Sequence, residues 1–224
     1  MPLLAVPQPF DHRECLYEIK HDGFRALAFV EGHRCQLVSR HGHTFTKFGI
    51  LETEISHSLR TMRAVLDGEI VCLDAHGRSQ FYPLLFRRDW PYFLAFDLLE
   101  VDGEDLRDRP LLERKRRLRR LIPRRDSRLR YVEHVEGRGV ELFEQACTRD
   151  LEGIVAKWKR GPYLTDGMYT SWLKIRNPEY SQIRGRRELF ERRSDRRTHA
   201  RARRWTAPIF SLVDGSPSRI ARTR

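Results

Sequence analysis

Cysteine is scarce in this 224-residue chain: Cys15, Cys35, Cys72 and Cys147 lie far apart, and no two form a C-x-x-C pair. That spacing argues against a zinc site and against a disulfide framework, and scattered thiols at apolar positions suit a reducing cytosol. No stretch approaches the ~18 apolar residues of a membrane span, so no membrane association is expected. The opening MPLLAVPQPFDHREC has early prolines, no basic segment and no long apolar run, so no secretory signal is expected either. Acids are in deficit: 31 Asp and Glu face 43 Lys and Arg, a formal net charge of +12. Most of the excess is arginine, whose planar head suits bidentate contact with phosphate, so a polyanion is the first partner to consider. The plainer reading is a well-solvated, arginine-rich surface. No internal repeat is present.

What the chain does have is a substantial apolar fraction, 40%, enough to build one good-sized core. Strand-like runs fall at Leu16–Ile19, Ala26–Val30, Gln36–Ser39, Val65–Leu73, Tyr92–Leu99, Tyr131–Val135, Gly153–Lys157 and Ser171–Ile175. Helical periodicity falls at about Phe48–Met62, Pro110–Ile122 and Gly139–Arg149. In the second helix Leu111, Leu118, Leu121 and Ile122 are expected on the buried face and the arginines on the other. AHGRS at Ala75–Ser79 and VDGED at Val101–Asp105 read as turns, the mark of hairpins. Strands joined partly by hairpins and partly by helices imply an α+β domain with antiparallel sheets flanked by helices.

Four strands share a costly feature: charge on one side. In the run CLYEIKHDG, alternation puts Cys15, Tyr17 and Ile19 on a core side and Leu16, Glu18, Lys20 and Asp22 on the other. VLDGEIVCL sets Asp67 and Glu69 opposite Leu66 and Ile70. EGIVAKWK groups Val155, Lys157 and Lys159, with Glu152 at the strand entrance, and SWLKIRN groups Trp172, Lys174 and Arg176. One such strand is an ordinary solvated face. Four in succession are more economically explained by a cleft lined with lysines, arginines and carboxylates.

The order of these pieces resembles the covalent nucleotidyltransferase superfamily, whose members are DNA ligases, RNA ligases and messenger-RNA capping enzymes. The matching pieces are Lys20-His21-Asp22-Gly23, Ser39-Arg40-His41-Gly42, Asp67-Gly68-Glu69, Phe96-Asp97-Leu98-Leu99, Glu152-Gly153-Ile154-Val155-Ala156-Lys157 and Trp172-Leu173-Lys174. The resemblance covers about Leu16 to Ile183, and the wording looks closest to ATP-dependent DNA ligases of the bacterial end-joining type. The resemblance implies an ATP-grasp-like nucleotidyltransferase domain over 1–183, followed by an arginine-rich extension over 184–224.

It also implies a chemistry. Lys20 attacks the α-phosphate of ATP and carries AMP, which passes to the 5′-phosphate of nicked or broken double-stranded DNA and is displaced by the 3′-hydroxyl. A lysine nucleophile must be neutral, and at a free pKa of about 10.4 only roughly one in a thousand is neutral near pH 7.4. Lys157, Lys174 and Arg176 are expected to supply cations that ease its deprotonation and neutralise the phosphate. Mg²⁺ is expected to share that task, with Glu69 and Glu152 as its ligands. By the same resemblance Glu18 lies at the adenine edge, Arg25 and Arg40 contact ribose and phosphates, and Glu69 also reaches the ribose. Phe96 stacks on one face of the base and Val155 closes the other. Each has a plain rival: Phe96 and Val155 as core, Arg40 as a turn residue, Asp22 as a loop-holder pairing with Arg25 or a backbone amide.

Two departures bear on this. Arg176 stands where the family usually has a second lysine; the charge is kept but shape and hydration change. The family's ligases also follow this domain with an OB-fold, whose five strands and connecting loops need well over about 40 residues, half of them in apolar alternation. From Arg184 to Arg204 there are instead ten arginines against three acids, with Leu189 and Phe190 the main apolar residues. No complete OB-fold domain is expected here, and a separate OB-fold or end-binding protein is a candidate partner. Two other functions fit part of the pattern: an RNA ligase or capping-type nucleotidyltransferase, and a turnover-deficient nucleic-acid-binding protein. The expected location is the cytoplasm, in the bacterial nucleoid-associated pool.

The arginine run can act as a phosphate grip, with Glu188–Arg193 as a short docking helix. Removing residues 184–224 is then expected to weaken binding to nicked duplex DNA and to flatten its dependence on salt. Titrations at several salt concentrations against the full chain check both, and equal affinity and slope would leave the run without that role.

Overall fold

The computed structural model describes residues 1–123 and 127–183. The arginine-rich segment from Arg184 onward, including Leu189 and Phe190, lies outside the described residues. The strands, in chain order, begin with β1 (Leu4–Ala5), β2 (Cys15–Ile19), β3 (Phe24–Glu31), β4 (Arg34–Ser39), β5 (Arg63–Val71) and β6 (Tyr92–Val101). They continue with β7 (Glu104–Asp105), β8 (Leu129–Tyr131), β9 (Val135–Glu136), β10 (Gly153–Trp158) and β11 (Trp172–Arg176). The helices are α1 (Gly49–Ser58), α2 (Phe81–Phe86), α3 (Leu111–Leu121) and α4 (Gly139–Thr148). Among the described residues no helix is long and apolar enough to cross a membrane.

Two sheets result. One has the order β1-β11-β10-β2-β9, the other β4-β3-β5-β6-β7 with β8 added to β6. Pairings are antiparallel except β1 on β11 and β8 on β6. Side-chain alternation gives each sheet two distinct faces. Ala26, Ala28, Leu66, Ile70 and Phe93 pack with Leu51 and Ile55 of α1 and Leu118 of α3. Tyr17, Ile154, Ala156 and Ile175 pack with Ala146 of α4. The helices thus cover one face of each sheet. The opposite faces meet each other through Val155 and Trp172 on one side and Leu99, Leu27, Val65 and Phe96 on the other. Of the charged residues singled out above, Glu18, Lys20, Arg25, Glu69 and Lys157 line the cleft at that seam.

Two motif glycines are set by close backbone approach. A Cβ on Gly23 would lie 2.1 Å from the Ile70 carbonyl oxygen, and one on Gly153 would lie 2.1 Å from that of Ile175. In each case the glycine lets a loop next to the charged residues press against a neighbouring strand.

Several expectations are corrected. The first helix stops at Ser58 rather than Met62, because Leu59 turns into the core and the following backbone groups bond elsewhere. Arg60 N–H donates to the Leu121 carbonyl, and the Met62 carbonyl accepts from Gly32. The single strand expected over Tyr131–Val135 is two: β8 pairs with β6, then the chain crosses to the other sheet, where β9 pairs with β2. The short helix α2 contains Pro83 and had no periodicity to announce it; Arg87 caps it in the left-handed region.

The largest correction concerns α3. Arg114 and Lys115 lie on its buried face with Leu111 and Leu118, both fully buried, instead of with the solvent-facing arginines. Positions 111, 114, 115 and 118 are one helical stripe. Arg114 is satisfied by a two-point pair with Asp97, at 2.8 Å for each nitrogen, and by the Gly161 carbonyl at 3.0 Å. A buried pair of this kind contributes little net stability, but removing one partner strands the other. Arg114→Met is expected to cost about 3–5 kcal/mol in urea denaturation, and Arg114→Met with Asp97→Leu less than the single change. A double variant no more stable than the single one would contradict this.

Candidate active site

Strand register assembles the site. Val155 of β10 lies between Glu18 of β2 and Lys174 of β11, and Lys157 lies between Leu16 and Trp172. In the facing sheet Arg25 is opposite Glu69 and Leu27 is opposite Asp67, while Glu69 has Leu94 on its other side. Lys20 follows the end of β2, and its backbone N–H donates to the Gly153 carbonyl at 2.9 Å.

A cavity of about 50 Å³ opens between the sheets. Glu18, Lys20, Arg25, Glu69, Phe96, Val155 and Lys157 all line it, so seven of the residues expected from sequence converge there. Glu152 joins them through Lys20, whose Nζ donates to Oε2 at 2.6 Å. Lys174 stands beside Val155, and its amine is held below the ordinary lysine range by burial and then by Arg176 and Lys20. Two expected residues are set apart. Arg40 lines a larger neighbouring cavity of about 580 Å³, which touches Arg25 and Asp67 but not Lys20, Glu69 or Phe96. Arg176 is exposed at the end of β11, paired with Gly153. Lys159 leaves the group altogether and pairs with Glu136 at 2.5 Å.

The charges are arranged in closed pairs. Arg25 grips Asp67 through two nitrogens at 3.1 and 2.6 Å, and Tyr163 donates to the same carboxylate at 2.8 Å. Glu18 is buried between two ammonium groups: Lys115 on Oε1 and Lys157 at 2.5 Å on Oε2. Burial pushes the Glu18 carboxyl up, but the two lysines outweigh it and hold it below the usual carboxylate range. Lys157 is itself pulled below the lysine range by burial, against the opposing effect of Glu18. Its Nζ lies 4.3 Å from the Phe96 ring centroid and 4.0 Å from that of Trp172. The expected cluster of cations around Lys20 is therefore incomplete at Lys157, which turns to the buried carboxylate because that is the stronger partner at hand.

The cavity is far below the ~300–1,000 Å³ of ordinary ligand pockets. Phe96 packs edge-on against Trp172 with ring centroids 5.7 Å apart, and Arg25 lies 5.6 Å and 5.3 Å from the two rings. A flat ligand against Phe96 requires Lys157 to move first.

Glu69 is the carboxyl with room to change. It lies opposite Arg25 at the cavity, and desolvation pushes it up to about 8; Glu152 and Asp67 add to the rise, while Lys20 and Arg25 oppose it. Glu152 thus bears on Glu69 as a like charge, and neighbouring carboxylates suit a hard divalent cation, which takes one or two carboxylates and completes its shell with water and phosphate. Among the described residues no cluster of three or more such groups exists, so Glu69 and Glu152 would need ligand oxygens to complete a magnesium site. Beside them, His21 stacks no charge into the site: its Nδ1 is 3.0 Å from Ser79 Oγ, and burial pushes it down to about 4.

Sequence reasoning gave no site role to Lys115, His21 or Tyr163, and placed Trp172 on the cleft face without assigning it one. Trp172 was legible, since it shares strand parity with Lys174. Lys115 was legible too, from its i+4 spacing to Leu111. Tyr163 sits in a loop with no period to read.

Comparison with known proteins gives these residues a family context. The model described as ATP dependent DNA ligase domain matches residues 5–176. The multifunctional non-homologous end joining protein LigD of Pseudomonas aeruginosa is 34% identical over 178 residues, covering 76% of this chain and 21% of that protein. The solved ligase domain of LigD from M. tuberculosis superposes with a TM-score of 0.65 and 27% identity, over 78% of this chain and 58% of that one. A mycobacterial DNA ligase D complexed with ATP and MES gives a TM-score of 0.65 and 28% identity, over 78% and 59%. The chain thus spans about a fifth of the curated relative's length.

The raised Glu69 carboxyl has a stability consequence. Its folded pKa of about 8 exceeds the 4.5 of an unburied glutamate, so the folded state holds the proton longer. The contribution is fully present below pH 4.5 and is lost as pH rises toward 8. The melting temperature of the unsubstituted chain minus that of Glu69→Gln is therefore expected to fall from pH 5 to pH 8, measured without added metal. A constant or rising difference would contradict the burial of this group.

Proposed function

We propose, for a chain that belongs to the ATP dependent DNA ligase domain family, that it forms a covalent lysyl-AMP from ATP and passes the AMP to DNA. The observation that carries this reading is the position of Lys20: its amine lines the same cavity as Phe96, Val155, Glu18 and Glu69, and is held by Glu152 at 2.6 Å. An amine donating to a carboxylate is not yet a nucleophile. As ATP binds, the Glu152 contact is released, the Lys20 ammonium loses one proton to solvent, and the neutral Nζ attacks the α-phosphorus. The N–P bond forms, the bond to the bridging oxygen breaks, pyrophosphate leaves with the electron pair, and the second proton shed by the nitrogen passes to solvent. Lys174 and Arg176 stabilise the charge on the phosphates. Phe96 and Val155 hold the base, Glu18 meets its edge, and Arg25 and Arg40 bind ribose and phosphates. Glu69 and Glu152 are the residues that would hold Mg²⁺. When bound, the ion offsets phosphate charge and favours pyrophosphate as leaving group.

The remaining steps need a 5′-phosphate and a 3′-hydroxyl, as at a nick in duplex DNA. AMP moves from Lys20 to the 5′-phosphate, and the 3′-hydroxyl then displaces it. Two arginines stacked on one aromatic ring of β6 support a polyanionic substrate. Tyr92 and Leu94 pack in a cluster that also touches Phe96. Over the Tyr92 ring lie Arg128, 4.6 Å from the centroid, and Arg130, at 4.4 Å. Arg128 also lies 5.8 Å from the exposed Trp90 ring. Guanidinium groups splayed on aromatic faces are preset to meet phosphate.

Incubation with ATP and Mg²⁺ is expected to add one AMP to the intact chain, removable by acid or hydroxylamine, and Lys20→Ala is expected to abolish it. Intact mass spectrometry reads both. A chain that stays unmodified, or one that is modified equally well after Lys20→Ala, would overturn the assignment.

A further inference from the structure

The two buried cations of α3 have different partners. Arg114 is accounted for by Asp97, a pairing that ties helix to strand. Lys115 instead reaches through to the cleft. Its ammonium donates to Glu18 Oε1, to the Val132 carbonyl at 3.1 Å and to the Phe96 carbonyl at 3.4 Å. It also stands 4.5 Å from the Tyr131 ring centroid. An ammonium has three N–H donors, so every one has an acceptor. Two of those acceptors belong to the residues read above as meeting the base: Glu18 at its edge and Phe96 on its face. Lys115 therefore fixes the acceptor and the stacking ring relative to each other.

Lys157 is the opposite case. Its Nζ has the Glu18 Oε2 at 2.5 Å and two ring faces, and no hydrogen-bond acceptor otherwise among the described residues. One cation on Glu18 is thus anchored at three points, and the other is anchored at one. A triphosphate entering the cleft offers Lys157 more anionic oxygens than Glu18 does, whereas it offers Lys115, sealed behind the strand, nothing. When Lys157 turns away, Oε2 is left as a charged acceptor on a carboxylate whose other oxygen has not moved.

A carboxylate only accepts hydrogen bonds. It matches a purine carrying an exocyclic amine at that edge and repels one carrying a carbonyl oxygen there. We propose that Lys115 is a positioning residue that sets the preference for a 6-aminopurine nucleotide, by keeping Glu18 fixed as an acceptor when Lys157 leaves. This rests on the nucleotidyl-transfer reading above and adds a determinant on α3, outside the cavity itself.

The test compares covalent labelling of the full chain by ATP and by inosine triphosphate, which differs at the purine edge by an oxygen in place of the amine. The quantity read is the ratio of kcat/KM for the two nucleotides. Lys115→Met is expected to reduce that ratio about 10- to 100-fold, as loss of an outer partner does to a ligating group. The loss should fall mainly on KM for ATP. Lys115→Arg, which keeps a buried cation beside Glu18, is expected to restore part of the ratio. Should Lys115→Met fail to fold, Lys115→Gln is read in its place, with the same expectation. A purely structural role would lower labelling by both nucleotides alike, so an unchanged ratio in a folded variant overturns the proposal. Failure of the unsubstituted chain to take AMP from ATP would instead overturn the nucleotidyl-transfer reading itself.

Discussion

Charge buried between two sheets is the constraint from which the rest of this structure follows. Each of Glu18, Asp67, Asp97, Arg114, Lys115 and Lys157 is nearly or fully withdrawn from solvent. An isolated charge in such a place costs many kcal/mol and would neutralise itself or unfold the site. The fold answers by pairing: Arg25 with Asp67, Arg114 with Asp97, Lys115 and Lys157 with Glu18. These pairs cross element boundaries in every instance, so they fix how strands and helices sit relative to one another. They are poor sources of net stability and good sources of geometry.

The same pairing defines what the resting site is able to do. Lys20 is held by Glu152, and Lys157 lies over the ring that would take a base. The reactive groups are present but engaged with each other. In the proposed reaction a phosphate-bearing ligand would supply anionic oxygens that substitute for those internal carboxylates, so that binding exchanges partners and leaves no charge unpaired. That is the physical reason a cavity of only about 50 Å³ can belong to a nucleotide site. Its small size reflects side chains satisfying one another across the cleft.

Much of this was legible in the sequence wherever a period carried it. Strand alternation put Glu18, Asp67, Glu69, Val155, Lys157, Trp172 and Lys174 on cleft-facing sides, and the register sets them beside one another within their two sheets. The glycines of the motifs were legible as motif members, though their steric reason, a 2.1 Å approach to a neighbouring carbonyl, is visible only in three dimensions. Partner choice was not legible. Nothing local tells Lys157 to prefer Glu18 over the neighbourhood of Lys20, because that depends on distances across two sheets. The splitting of Tyr131–Val135 into β8 and β9 failed for a related reason: one apolar run serves two sheets, and no single period describes it. Arg114 and Lys115 were misread by residue type, since their spacing already placed them on the Leu111–Leu118 stripe.

That misreading points to how the site is built. Helix α3 is covered with arginine and reads as a solvated helix, yet it sends two cations inward to adjacent places. Arg114 holds Asp97 and Lys115 holds the carbonyl of Phe96, consecutive residues of β6. The helix thereby holds the carbonyl of the Phe96–Asp97 peptide through Lys115 and the Asp97 carboxylate through Arg114, and a shift of α3 along β6 would break both contacts together. Phe96 meets Trp172 of the other sheet edge-on, and Trp172 meets Tyr163, whose hydroxyl is bonded to Asp67. The chain of contacts runs from α3 through one sheet to the second and back to the carboxylate that holds Arg25. Orientation of the ring against which a base would lie is therefore set by buried ion pairs outside the cavity, and the apolar seam between the sheets transmits that setting because close-packed side chains have few alternative arrangements.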